Sequence, residues 1–318
     1  MSVLTDKMQQ AGIADGVLIV SKEVGWTSHD VVAKVRSLLG GVKVGHAGTL
    51  DPAATGVLPL MIGRATRAAE YFVGWEKEYR AVMRLGETTD TQDATGTVLA
   101  RVDAGEVSEE ALRAAVARFR GPQQQLPPMY SAVKVGGRPL YKAARAGKTI
   151  DREERAIVVH ELDILEIDGR DIALRVVCSK GTYIRTLCAD IGLALGVGAH
   201  LHSLERSRVG PWSIDRALTV DQVAARLAIG TLRDCVITLD QALERLPAVI
   251  VNSEQSRRVL HGAAVASEGM RALPASPEPV AIRLKDEGGR LLGIGTYDTG
   301  TAGPIKIHKV FAEPYSQR

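Results

Sequence analysis

Between positions 42 and 67 the sequence sets glycines at 45, 48, 56 and 63 among Pro52, Pro59 and several threonines, more breakers than a long helix or strand tolerates. The segment reads as a structured loop that leads into one apolar run, Val57 to Ile62. What precedes it is regular. Gly16 to Val20 reads as a short buried strand, followed by a turn at Gly25. Val31, Val32, Val35, Leu38 and Leu39 then trace one face of a helix, with Thr27 and Asp30 at capping-box spacing and Gly40-Gly41 as its stop. Inside the loop, Gly45-His46-Ala47-Gly48-Thr49-Leu50-Asp51-Pro52 holds one imidazole and one carboxylate. Such a loop lets a substrate approach the backbone and presents Asp51 on a rigid bend. An Asx-type turn at Asp51-Pro52, with glycines that only satisfy turn dihedrals, fits the same spacing.

Tyr79 to Leu85 and Gly96 to Val102 read as strands flanking the polar loop 88–95. Ser108 opens a helix carrying Leu112, Ala115, Val116 and Phe119. Residues 122–138 read as loop, with a hairpin tip at Val135 to Arg138. Ile157 to Ile167 and Asp171 to Cys178 form a further hairpin, and Ile184, Leu187, Cys188, Ile191 and Leu195 a further helical stripe. Without a strict βαβ rhythm, the fold class is α+β, a mixed, mainly antiparallel sheet flanked by helices and loops. Near Leu246-Pro247 the character changes to short strand-like runs, so the chain divides into 1–246 and a small β-rich domain, 247–318.

The composition excludes more than it assigns. Forty basic against 37 acidic residues leave +3, so any nucleic-acid surface must come from local clustering. No apolar run approaches the ~20 residues that span a bilayer, and the N-terminus has no secretory h-region. The three cysteines, without C-x-x-C spacing, read as reduced thiols of a cytoplasmic protein. His46-Ala47 stands where a P-loop needs Lys-Ser/Thr, and the loop's single carboxylate does not suit a glycosidase. His200 and His202 lack a third ligand at metal spacing, so no metal site is expected. Arg185 falls in the first turn of its helix, where a cation opposes the macrodipole. A solvated or surface-paired arginine accounts for that; a sharper reading pairs it with a catalytic carboxylate.

The segment Gly45 to Leu58 closely resembles the catalytic motif of the TruB-type pseudouridine synthases of bacteria, which act on uridine 55 in the tRNA T-loop. Gly25-Trp26-Thr27-Ser28-His29-Asp30, Lys77 to Arg80, Thr89 to Gly96, Met129 to Lys134, Gly137 to Tyr141, Ser179 to Arg185 and Gly198 to Leu201 follow in the family's order. Coverage runs from about residue 16 to 220, and the last segment resembles a PUA-type RNA-binding domain only loosely. The resemblance implies a pseudouridine synthase fold and a reaction that breaks N1–C1′, rotates uracil and joins C5 to C1′, with no cofactor, metal or ATP. It makes Asp51 the catalytic aspartate, held below its ordinary pKa by Arg185 as nucleophile or base, and stacks Tyr79 on uracil with help in removing the C5 proton. Leu204 becomes pocket wall and His46 the wedge filling the space of a flipped base. Asp93, Lys22, Tyr183, Lys134 and Arg145 join the substrate contacts, the last two in an RNA-clamping hairpin at about 125–150 with Arg138, Lys142 and Lys148. The partner is the T-arm of tRNA, met by a monomer that needs no protein partner. A tRNA-folding protein of the same fold, or a guide-RNA-dependent synthase, are the alternatives. Two departures stand out: Glu23 where the family usually has proline, and Glu205 where it tends to have arginine, a change expected to weaken a phosphate contact near Arg206 and Arg208.

Overall fold

The apolar run beyond the glycine-laced loop becomes the spine of a large sheet. The computed structural model describes residues 15–105, 107–131, 133–267, 276, 278–298 and 303–313, apart from the side chains at 134, 138, 139 and 145. Strands β1 (Gly16–Lys22), β2 (Val44–His46), β3 (Thr55–Ile62), β4 (Lys77–Leu85), β5 (Gly121–Gln125), β6 (Arg155–Asp168), β7 (Asp171–Cys178), β8 (Ala199–Val209), β9 (Trp212–Ser213) and β10 (Ile237–Thr238) make one ten-stranded sheet. Its order is β10-β1-β3-β8-β4-β7-β6-β5, with β2 on β3 and β9 on β8. Along this path every pairing is antiparallel except β3 with β8, which sets Gly56 beside Arg206. The sheet is mixed and mainly antiparallel, as expected.

Helices α1 (Ser28–Leu38), α2 (Glu109–Arg118), α3 (Ile184–Ala194) and α4 (Val220–Ala228) cover it. The Thr27/Asp30 capping box forms as read, and Ser108 caps α2. α2 and α3 bury Leu112, Val116, Leu187 and Ile191 against β4, β6 and β7, while α1 brings Val31 and Val35 to Leu18, Val20, Leu58 and Leu60. The last segment forms β11 (Ala248–Ile250), helix α5 (Ser253–Leu260), β12 (Val280–Lys285), β13 (Leu291–Tyr297) and β14 (Lys306–Val310), a four-stranded sheet. Ile294 and Phe311 pack into the same apolar cluster as Val57, Phe72 and Trp212, and Asp240 pairs with Arg283 and Lys285, both at 2.7 Å.

Three segments depart from the sequence reading. Val44–His46, expected in loop, adds to the edge of β3. Glu87–Thr89 runs as a strand into the expected polar loop 88–95 and pairs with Val98–Arg101. Residues 121–125, expected as loop, form β5 at the edge of the sheet, where a proline at 122 costs no ladder bond. The anticipated hairpin tip is a short ribbon of Lys134–Val135 with Arg138–Pro139.

Candidate active site

The catalytic-type loop is held from behind by the segment that follows β1. Lys22 is fully buried, and its Nζ donates to the carbonyls of Glu23 (3.0 Å), Trp26 (2.8 Å) and Pro52 (3.3 Å). The Gly25 amide donates to the same Pro52 carbonyl at 2.9 Å. Ser28, buried at the first position of α1, accepts from the Leu50 amide (2.9 Å) and donates to the Leu50 carbonyl (3.2 Å). Glu23 therefore contributes a carbonyl, which any residue supplies, and its departure from the family pattern leaves this lysine contact in place. The bend itself is closed by the Ala54 amide donating to the Asp51 carbonyl at 3.0 Å. Among the described residues no hydrogen bond of an Asx turn ties up the Asp51 carboxylate.

That carboxylate meets Arg185. Nη2 of Arg185 lies 3.0 Å from Asp51 Oδ2, and Nη1 lies 3.5 Å from Asp93 Oδ2. The guanidinium also donates to the carbonyls of Thr91 (3.1 Å) and Tyr130 (2.8 Å), so three segments converge on one cation that is only 4% exposed. The cation at the start of α3 has the anion that its position demanded. The Asp51 side chain is 44% exposed, open to a cavity. Burial by the walls nonetheless pushes its pKa above the ordinary aspartate value, with Asp93 adding to the rise and Arg185 and Lys22 opposing it. The expected net lowering is not found, because desolvation outweighs the arginine.

The cavity measures about 270 Å³ and gathers Asp51, Tyr79, Tyr183, Arg185 and Leu204, five of the residues singled out in the sequence. Tyr79 forms a buried wall, and burial pushes its phenol up to about 12. At neutral pH the phenol keeps its proton. Three cations to which the sequence gave no role, Lys77, Lys180 and Arg206, complete the lining. Lys77, buried in the wall, donates to the carbonyls of Val73 (2.7 Å) and Trp75, and burial brings its ammonium down to about 8. Arg206 is 1% exposed; Nε donates to the Val57 carbonyl (2.8 Å) and Nη2 to that of Gly48 (3.1 Å), and the guanidinium faces the Tyr79 phenol. Arg206, noted in the sequence only as a neighbour of Glu205, is thus a buried cation of the cavity lining. The alternation of β8 could have located it: Leu204 and Arg206 share the cavity face, which sends Glu205 to the other.

The remaining expected residues lie elsewhere. Lys22 sits behind the loop and does not line the cavity, because its ammonium is spent on main-chain carbonyls. Asp93 backs Arg185 from outside the cavity; its Oδ1 accepts from the Thr91 hydroxyl (2.8 Å) and the Thr95 amide (3.0 Å). His46 ends β2, half-buried, edge-on to His29 at 5.7 Å between ring centroids, and burial lowers its pKa, so the ring is neutral. Its Nδ1 finds no hydrogen-bond partner among the described residues. The side chains of Lys134 and Arg145 lie outside the described ones. Among the described residues no three metal-ligating side chains cluster, and no helix is long and apolar enough to cross a membrane.

A curled, mainly antiparallel sheet with an aspartate–arginine pair in its central cavity defines the class as a pseudouridine synthase fold. Two solved structures share it: an archaeal box H/ACA sRNP Nop10–Cbf5 complex (TM-score 0.74, 29% identity, 96% of this chain and 88% of that one) and a Cbf5–Nop10–Gar1 complex (TM-score 0.75, 30%, 98% and 88%). Residues 36–184 match the model of the TruB family pseudouridylate synthase N-terminal domain, and residues 185–244 the tRNA pseudouridylate synthase B C-terminal domain. A tRNA pseudouridine synthase B of Thermobifida fusca is 42% identical over 303 residues, 93% of this chain and 99% of that protein. Its counterpart in Symbiobacterium thermophilum is 48% identical over 261 residues, 81% and 85%. The chain belongs to the TruB family of pseudouridylate synthases.

Proposed function

We infer that this chain isomerises uridine to pseudouridine in tRNA, at position 55 of the T-loop, with Asp51, Tyr79 and Arg185 as the working side chains. The observation that carries the reading is the Asp51–Arg185 contact of 3.0 Å on the wall of a cavity that also holds Tyr79. The reaction breaks N1–C1′, turns the uracil and joins C5 to C1′; the C5 proton leaves and N1 gains one. Nothing is added, so no cofactor or metal is invoked. Asp51, in its carboxylate form, serves as nucleophile or base, and Arg185 fixes its orientation. Tyr79 presents a ring for the uracil and a phenol that keeps its proton. Lys77, Lys180, Arg185 and Arg206 give the cavity an excess of positive charge over its one carboxylate, which suits a nucleotide.

The target base must leave a folded loop at a cost of a few kcal/mol. His46, neutral and at the end of a short edge strand, is suited to occupy the vacated stack, where stacking is worth ~1–3 kcal/mol. The hairpin at about 125–150, including Lys134 and Arg145, would clamp the T-arm through phosphates and shape. We divide the chain at 246/247 and read the four-stranded sheet as a PUA-like RNA-binding unit. The reading places a monomer in the cytoplasm, working without a protein partner. Relatives of 42–48% identity bear the tRNA synthase name, whereas the ribonucleoprotein likeness stands at 29–30%, so guide dependence is not favoured. The test is tritium release from a T-arm hairpin labelled at uracil C5. Stoichiometric release is expected without metal, nucleotide or guide RNA, and none from Asp51→Asn; undiminished release from that variant would remove Asp51 from its role.

A further inference from the structure

Gln125 is polar, 3% exposed and the last residue of edge strand β5. Its side-chain amide is spent entirely on the main chain of Tyr183. Oε1 accepts from the Tyr183 amide at 2.8 Å, and Nε2 donates to the Tyr183 carbonyl at 3.1 Å. Tyr183 is the N-cap of α3, and no side chain of its own caps that helix. The Leu187 amide also donates to the Tyr183 carbonyl, at 3.0 Å, so Gln125 grips the first hydrogen-bonded turn of the helix that carries Arg185.

The same short segment returns to Arg185 directly. Five residues after Gln125, the Tyr130 carbonyl accepts from Arg185 Nη2, the nitrogen that also faces Asp51. Between the two contacts lie Leu126, Pro127, Pro128 and Met129; the two proline rings hold φ near one value, and Arg152 Nη1 donates to the Pro127 carbonyl at 2.8 Å. Gln125, Tyr183, Arg185 and Tyr130 thus close a ring of contacts around a stiff connector. Beyond Tyr130 comes buried Ser131 in the cavity wall, and then the ribbon at Lys134–Val135.

We propose that Gln125 is a positioning residue that ties the first turn of α3, and with it Arg185, to the root of the 131–150 hairpin, so that Asp51 is oriented only when that root is in place. The proposal rests on the uridine-isomerising reading of the cavity. Without the amide, α3 still forms, since its buried stripe of Leu187, Cys188 and Ile191 is untouched. What is lost is the register between guanidinium and carboxylate, and displacements of about 1 Å at reacting groups cost up to ~100-fold in rate.

The experiment compares wild type, Gln125→Met and Gln125→Glu. Met keeps the shape and loses both bonds; Glu keeps an acceptor for the Tyr183 amide. Single-turnover tritium release, T-arm affinity, unfolding midpoint and the pH profile of the rate are measured together. For Met, the rate is expected to fall about tenfold or more while affinity changes less than about threefold. Asp51 is faced by Arg185, Asp93 and Lys22, so a displaced guanidinium should also move the acid limb of the Met profile upward by about half a pH unit or more. The Glu rate is expected between Met and wild type. If Met fails to fold, a lowered Glu rate at unchanged affinity is the supporting result. A wild-type rate in either variant, or a parallel loss of rate and affinity, would overturn the proposal. No release from wild type would instead count against the uridine reading itself.

Discussion

The Arg185 guanidinium stands 3.0 Å from the Asp51 carboxylate and 3.5 Å from that of Asp93, with carbonyls of Thr91 and Tyr130 on its other N–H groups. A planar fork can serve all four at once, whereas an ammonium is a point charge on a shorter reach. Arg185→Lys is therefore expected to lower single-turnover release about 100-fold or more, with RNA affinity changed by less than about threefold. Two half-buried carbonyls lose their donor, so denaturant unfolding should show a loss of about 1–2 kcal/mol. Affinity falling as steeply as rate would show that the arginine holds RNA rather than the aspartate.

Asp51 must be ionised to attack or to take a proton, and its pKa is raised by burial. The sign follows: activity is full above that raised value and is lost as pH falls through it, so the acid limb lies above the ordinary 3.8. Tyr79, pushed up to about 12, titrates beyond the working range, whereas Lys22 and Lys77 titrate at about 8. A pH–rate series on Tyr79→Phe should show a lower rate with both limbs where wild type has them. An alkaline limb that disappears in Tyr79→Phe would mean that the phenol ionises.

Asp93 was legible as a member of a motif, not as the second carboxylate on Arg185. Its contacts with Thr91 and Thr95 fix the loop that also lends the Thr91 carbonyl to the guanidinium. Asp93→Asn keeps the shape and removes the charge. Release is expected to fall about tenfold, with affinity unchanged. A contact to displaced nucleotides would show instead as weakened binding in a filter-retention titration.

What the sequence disclosed, and what it hid, divides along physical lines. Local rules carried α1 and α2, since a capping box, an acidic first turn and an apolar stripe are written within a few residues. The opposed dipole marked Arg185 before any partner was known. The edge strands β2 and β5 were hidden because glycine and proline mask strand character wherever a neighbour's ladder supplies the stabilisation. The burial of Lys22, Lys77 and Arg206 was hidden because long basic side chains are ordinarily surface residues. Lys77 finds its carbonyls nearby, at Val73 and Trp75, but the Pro52 carbonyl on Lys22 and the Val57 carbonyl on Arg206 come from distant chain, pairings that no local window contains.

His46 offers a test of base extrusion. His46→Ala should lower release from a folded T-arm hairpin by about tenfold or more, since the replacement stack is worth ~1–3 kcal/mol. A short single strand carrying the same uridine should lose less than about threefold. Equal losses on both substrates would assign the ring to the framework of β2 rather than to the vacated stack.

Gly56 and Arg206 face each other across the parallel pair β3–β8, and their closeness fixes the floor of the cavity. Gly56 has φ +104°, and a Cβ there would lie 2.3 Å from the Arg206 carbonyl oxygen and 2.7 Å from its amide nitrogen. Backbone cannot step aside as a side-chain tip can, so the two strands would have to part. Gly56→Ala is expected to cost several kcal/mol and to leave mostly insoluble chain. Arg206→Lys separates this framework effect from charge: the cation stays, but the fork to Val57, Thr49 and Gly48 is broken. Its unfolding free energy in urea should fall by about 1–3 kcal/mol, and the folded fraction should release tritium more slowly because the 48–51 loop has lost its floor. Wild-type stability in Arg206→Lys would mean that these carbonyls are satisfied without the guanidinium, and the loop would need another support.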